Sequence, residues 1–255
     1  MDDLRQILES AGIPCDSLEA LHWSCKETVY GINSHDADPM ETWRELCRLS
    51  VESHHWPVIT DNIETLDRLN EQIDSFQLSA FSPEQQRDWA WVKELPEDWR
   101  EWVFRGEKMS FESWLEAQEK ELPLEEEFMG EWTDNAAIQT QPCIARAEEC
   151  LILLFPVESF WHIPALLRYG NWNDCPSPDV HVAALRYWND HYGAQLLSMT
   201  FDTMELTVKR PPKTKDEAIE LAKQHFYFCG DTAPDGFLNL ASQLKDSTVW
   251  TFWWD

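Results

Sequence analysis

The chain has 255 residues, 43% of them hydrophobic, and sets 47 acidic side chains against 20 basic ones, a formal charge of −27. That length buries a core without disulfides or metal, and that charge repels nucleic acid and anionic membranes while favouring a basic protein partner. The seven cysteines (Cys15, Cys25, Cys47, Cys143, Cys150, Cys175, Cys229) are odd in number and form no C-x-x-C pair, so they read as reduced thiols in a cytoplasm.

The start, MDDLRQILESAGIP, is acidic and amphipathic, unlike a secretory signal, and predicts a short helix over 2–11. A strand is expected around 28–32, and a helix from Pro39 with Trp43, Leu46 and Cys47 on its inner face. WPVIT at 56–60 is a brief β-branched run, followed by a helical period in DNIETLDRLNEQI.

From Asp61 to Asn135 the chain holds 21 acidic and 7 basic residues, about half of the total charge, together with Trp89, Trp91, Trp99, Trp102, Trp114 and Trp132. Ser82-Pro83-Glu84-Gln85 forms a capping-box pattern, Pro96 is expected to open a second short helix, and Ser110 to cap a third. The third helix would carry an apolar stripe of Phe111, Trp114, Leu115, Gln118 and Leu122. Residues 76–141 therefore read as an acidic, tryptophan-rich helical insertion between an N-terminal part (1–75) and a C-terminal domain (142–255).

LILLFPV at 151–157 has the length of a strand buried on both faces and is too short to cross a bilayer. After it come the loop GNWNDCPSP at 170–178 and a helix capped by Ser177, with Pro178 at its first position. Val180, Ala183, Ala184, Tyr187, Trp188 and His191 line one face of that helix, and Gly193 closes it. Residues 194–209 resemble a hairpin. Thr214 to Glu217 is a capping box opening a helix with Ala218, Ile219, Ala222 and Phe226 inward. A short helix over 237–244 follows, then STVWTFWW as a strand, whose alternation suits a central position covered by helices. The fold class is α/β (α+β), a mixed sheet flanked by helices.

GNWNDCPSP, LRYW, Asp202, Glu205-Leu206, RPP at 210–212, QHFYFC at 224–229 and the closing FWWD together resemble the bacterial domain-of-unknown-function family numbered 4253, over about residues 150–255. The resemblance implies no activity, cofactor or catalytic residue. It implies the company of toxin-neutralising immunity proteins only by association.

Chemistry has one candidate. In the loop, Asn173 and Asp174 could bind a ligand, with Asp174 as base, Cys175 as a nucleophile before a helix N-terminus, and His181 as proton carrier. The competing reading has Asn171, Asn173 and Asp174 satisfying turn hydrogen bonds and Trp172 filling the core. His54-His55 and the His22/Cys25 pair lack the spacing of a metal set, and no glycine-rich phosphate loop or hydrolase elbow is present, so no metal and no cofactor are expected.

The function expected is that of a non-enzymatic acidic binding protein, an immunity-type inhibitor occluding a basic toxin such as a nuclease. Partner-binding residues would be Glu94, Glu97, Asp98, Trp99, Glu101 and Trp102 in one cluster and Glu125, Glu126, Glu127, Glu131, Trp132 and Asp134 in another. The alternative is an enzyme or small-ligand binder using Asn173, Asp174, Cys175 and His181.

Overall fold

The computed structural model describes residues 2–33, 38–75, 80–88, 92, 94–125, 128–134, 136–146 and 150–255. Trp89, Trp91, Glu126 and Glu127 lie outside the described residues. One seven-stranded mixed sheet organises the molecule, in the order β1 (Glu19–Leu21), β2 (Val29–Asn33), β4 (Leu151–Phe155), β3 (Trp56–Thr60), β5 (Gln195–Met199), β6 (Thr203–Thr207), β7 (Val249–Trp253). Neighbours are antiparallel except β3 and β5, which run parallel at Ile59 and Ser198.

Alternation along the strands divides the core. Ile32, Ile59, Ile152 and Leu154 face a layer built from α1 (Asp2–Ser10) and α2 (Pro39–Ser53), where Leu4, Leu8, Trp43 and Leu46 are buried. Val58, Leu153, Phe155, Leu206 and Phe252 face the opposite layer. That layer comprises α3 (Ile63–Ser75), α8 (Pro178–Tyr192), α9 (Lys215–Phe228) and α10 (Phe237–Leu244). LILLFPV is thus buried on both faces, as its run of apolar residues predicts.

The acidic segment contributes α4 (Pro83–Asp88), α5 (Trp99–Lys108) and α6 (Phe111–Glu121), and a short α7 (Ile163–Leu166) follows β4. Helix α5 lies against α8 so closely that a Cβ on Gly106 would sit 2.5 Å from the Asp179 carbonyl and 2.6 Å from Val182 Cβ. On α6, Phe111 stacks on Trp114 and meets Trp188 edge-on at 5.4 Å.

Several local expectations change. Pro96 does not open a helix; Asp98 caps α5 instead, accepting from the Arg100 N–H. The α6 stripe is shorter than its period suggests, because Leu122, after the last turn, is exposed while Phe111 and Leu115 are buried. Ser177 occupies the N-cap of α8, yet its hydroxyl donates to the Asp179 carboxylate instead of capping a backbone N–H. His191 is exposed, its ring stacked on Tyr187. On α9, Ala218 and Ala222 are buried as expected, but Leu221, His225 and Phe228 share the inward face while Ile219 and Phe226 are half-buried. The closing strand is an edge, not a centre: among the described residues β7 pairs with β6 alone, and its outer side is partly met by Gln139, whose carbonyl accepts from the Thr248 and Val249 N–H groups.

Both predicted ends hold elsewhere. Thr214 and Glu217 form a complete capping box, and Gly193 ends α8 at φ 63°. Each such cap contributes about 1 kcal/mol.

Candidate functional site

Helix α8 enters the core through the loop GNWNDCPSP, and the loop's backbone explains its composition. Arg168, Gly170, Asn171 and Asn173 all have positive φ, between 44° and 106°, a region that glycine and asparagine tolerate best. At Gly170 a Cβ would overlap the Pro176 carbonyl at 1.8 Å, so the turn closes only with glycine. Arg168 is buried and donates to the Pro96 and Glu97 carbonyls at 2.8 Å, which fastens the chain just before α5 to the residues leading into the loop.

The structure brings Cys175 and His181 together: Sγ lies 3.5 Å from Nε2. It does not bring them to a surface. His181 is 0% and Cys175 4% exposed, in a cage of Tyr169, Phe228 and Trp254 rings. Burial pushes the Cys175 thiol far up, with Cys229 adding to the rise. It also pulls the His181 imidazole down to about 3, against a smaller opposing pull from the Pro176 carbonyl. A reactive thiolate–imidazolium pair needs shifts of the opposite sign. Asp174 is exposed and makes no hydrogen bond to either residue among the described residues.

Asn173 stands apart from that cage. It lies at the rim of a cleft of about 650 Å³ formed by α3, the turn after β5, the loop and the end of β7. Trp172, Phe201, Trp253 and Trp254 supply its aromatic walls, and Glu71, Asp202, Asp255 and Arg68 its charges. Asn173 donates to the Asp255 carbonyl, and the Trp254 N–H to the Asp202 carbonyl at 3.0 Å. Three separate segments of the sequence signature, the loop, Asp202 and the closing WWD, therefore converge on one cleft. Sequence period cannot show that convergence, because it depends on β5 and β7 ending on the same side of the loop.

The acidic segment presents two surfaces. Before and along α5, Glu94, Glu97, Asp98 and Glu101 are exposed and Trp99 is half-buried. Trp102, 6% exposed, is packed with Leu95, Val103, Ala165 and Val182, so it anchors α5 to the core and offers nothing to a partner. Phe104 takes the outward position instead, at 56% exposure. It joins Trp99, Val103, Pro156 and Val157 in a groove of about 380 Å³ that Glu107 and Glu158 border. Arg100 lies 4.7 Å over the Trp99 ring and Lys108 3.8 Å over Phe104, so both rings already attract cations. Phe104 is not among the expected partner-binding residues, although its position two residues beyond buried Trp102 on the helix is a signal that places it outward.

The second surface holds Glu125, Glu131 and Asp134, all exposed, with Trp132 half-buried. Trp132 donates to Asp134 at 2.8 Å and receives Lys215 over its ring at 4.6 Å. This stretch is fixed to α10 through the Leu238 N–H and the Met129 carbonyl.

No group of three or more His, Cys, Asp or Glu side chains suited to a metal occurs among the described residues. No helix among them is long and apolar enough to cross a membrane.

Residues 151–255 match the family described as Domain of unknown function (DUF4253), the C-terminal region in which the signature residues lie. No curated protein and no solved structure matches the chain.

Proposed function

We propose that this protein, whose residues 151–255 carry a domain of that family, is a non-enzymatic acidic binding protein that captures a basic protein partner, in the manner of an immunity protein occluding a cytoplasmic toxin such as a nuclease. The observation carrying this reading is the α5 groove, where an exposed Phe104 and a half-buried Trp99 lie with Glu107 and Glu158, and whose chain neighbours Glu97, Asp98 and Glu101 are exposed. Rings that already attract the cations of Arg100 and Lys108, set beside carboxylates on an acidic surface, combine ring contacts with electrostatic steering of a basic partner. The second acidic surface around Trp132 adds to the same field.

Catalysis by Asp174, Cys175 and His181 has less support, since the thiol is held neutral and the pair is sealed by aromatic rings.

The test is co-expression with the basic product of an adjacent toxin gene, comparing wild type with Glu97→Lys/Glu101→Lys/Phe104→Ala and with Glu125→Lys/Glu131→Lys. Asp98 is spared because it caps α5. Loss of protection in the α5 variant, with far-ultraviolet circular dichroism unchanged, is the expected outcome. Undiminished protection and affinity in both variants would end the proposal.

A further inference from the structure

The cleft beside the loop has a volume in the range of small-molecule sites, about 650 Å³. Its charges are unequal: Glu71, Asp202 and Asp255 against Arg68. Asp202 is fixed at the rim, accepting from the Thr200 and Thr203 hydroxyls at 2.8 and 2.9 Å. Such a field disfavours phosphates and carboxylates.

The aromatic walls narrow the choice further. The Arg68 guanidinium lies 4.2 Å over the Phe201 ring, so the cleft already seats one organic cation, supplied by α3 itself. That side chain is exposed and pairs with the exposed Glu64 at 3.1 Å, an arrangement a competitor can displace at little cost. Trp172 and Trp253 offer further ring surface, and Trp253 is 46% exposed. Ring faces combined with carboxylates recognise guanidinium and alkylammonium groups, which stack and pair at once.

We propose that this cleft binds a small organic cation carrying a guanidinium or alkylammonium group, stacked on Trp172 or Trp253 and paired with Glu71 and Asp255. The site is separate from the α5 groove, so its failure leaves partner capture by the acidic face untouched, and the reverse holds as well.

The experiment is calorimetric titration of the full chain with agmatine, with 1-butylurea as a neutral control and a Gly-Arg-Gly amide to present the same group on a peptide. Saturable agmatine binding that weakens about tenfold in Glu71→Gln/Asp255→Asn, and also falls in Trp253→Ala, is expected. Arg68→Ala should bind agmatine more tightly, because it removes the resident competitor; a merely structural Arg68 would not do this. Failure of agmatine to saturate, equal binding of butylurea, or an unchanged affinity in Glu71→Gln/Asp255→Asn overturns the proposal. Markedly tighter binding of the peptide than of agmatine overturns its small-molecule half.

Discussion

The Cys175 sulfur lies 3.5 Å from His181 Nε2 inside a cage of aromatic rings, and that contact joins the loop to the first turn of α8. Its neighbours make it a packing contact between two neutral groups. Tyr169 Oη, His181 Nδ1 and Trp254 Nε1 are buried there without a hydrogen-bond partner among the described residues. Unsatisfied polar groups of this kind cost free energy that the surrounding apolar burial must offset.

Thiol reactivity should follow this arrangement. Cys143 is exposed and Cys175 buried, so iodoacetamide at neutral pH should modify Cys143 in the native protein and reach Cys175 only on unfolding. Peptide mass spectrometry with and without urea checks the order. Rapid native labelling of Cys175 would mean that the cage opens.

Acid should destabilise the fold through two histidines. Burial lowers His181 and His225 to about 3 from an ordinary 6.5. Between those values the unfolded chain binds protons that the native state does not, so stability rises with pH across this window. It is lost progressively as pH falls below about 6.5, by up to about 1.4 kcal/mol per pH unit for each group. Urea titrations at pH 7, 6 and 5 measure the slope, and His225→Phe should reduce it by one proton's worth.

Glu205 is fully buried and serves as an internal clamp. Its carboxylate accepts from the Cys143 N–H at 2.7 Å, the Ile144 N–H at 3.1 Å and the Ser198 hydroxyl. Glu205→Ala leaves those donors without an acceptor and should cost about 3 kcal/mol or more. Hydrogen exchange at Cys143 and Ile144 should accelerate before the rest of the sheet responds, and Glu205→Gln should fall between the two.

Gly106→Ala sets two effects against each other. Alanine favours an isolated helix by about 1 kcal/mol, whereas here the new methyl meets Asp179 and Val182 atoms at 2.5 to 2.6 Å. Overpacking of this severity costs about 1–3 kcal/mol, so the variant should be less stable. With α5 displaced, the groove at Phe104 should lose partner affinity as well.

Elements governed by local chemistry were readable in advance. WPVIT, the Thr214 box, the Gly193 cap and the helix from Phe237 to Leu244 each follow from neighbours in the sequence. What could not be read depends on long-range placement. Glu205 is a charged residue in the expected hairpin of residues 194–209, and only the chain folding over it at 143–144 makes it a buried acceptor. Trp102 looked like an anchor until α7 and α8 covered it. The closing strand's alternation is genuine, with Trp250 and Phe252 buried, but alternation cannot distinguish an edge from a centre. The cleft was legible only as three separate motifs.

Strand β3 lies between β4 and β5, so the region matching the domain family supplies the strands on both sides of a place it does not itself fill. A fragment of residues 151–255 would inherit β4 on one side, the β5–β6–β7 meander on the other, and an open slot where WPVIT belongs. Its exposed backbone groups would seek that missing strand from another molecule. The natural complement is a peptide spanning 56–60 with its flanking helices, added in trans, and the boundary of a useful expression product is set by this slot rather than by the extent of the family match.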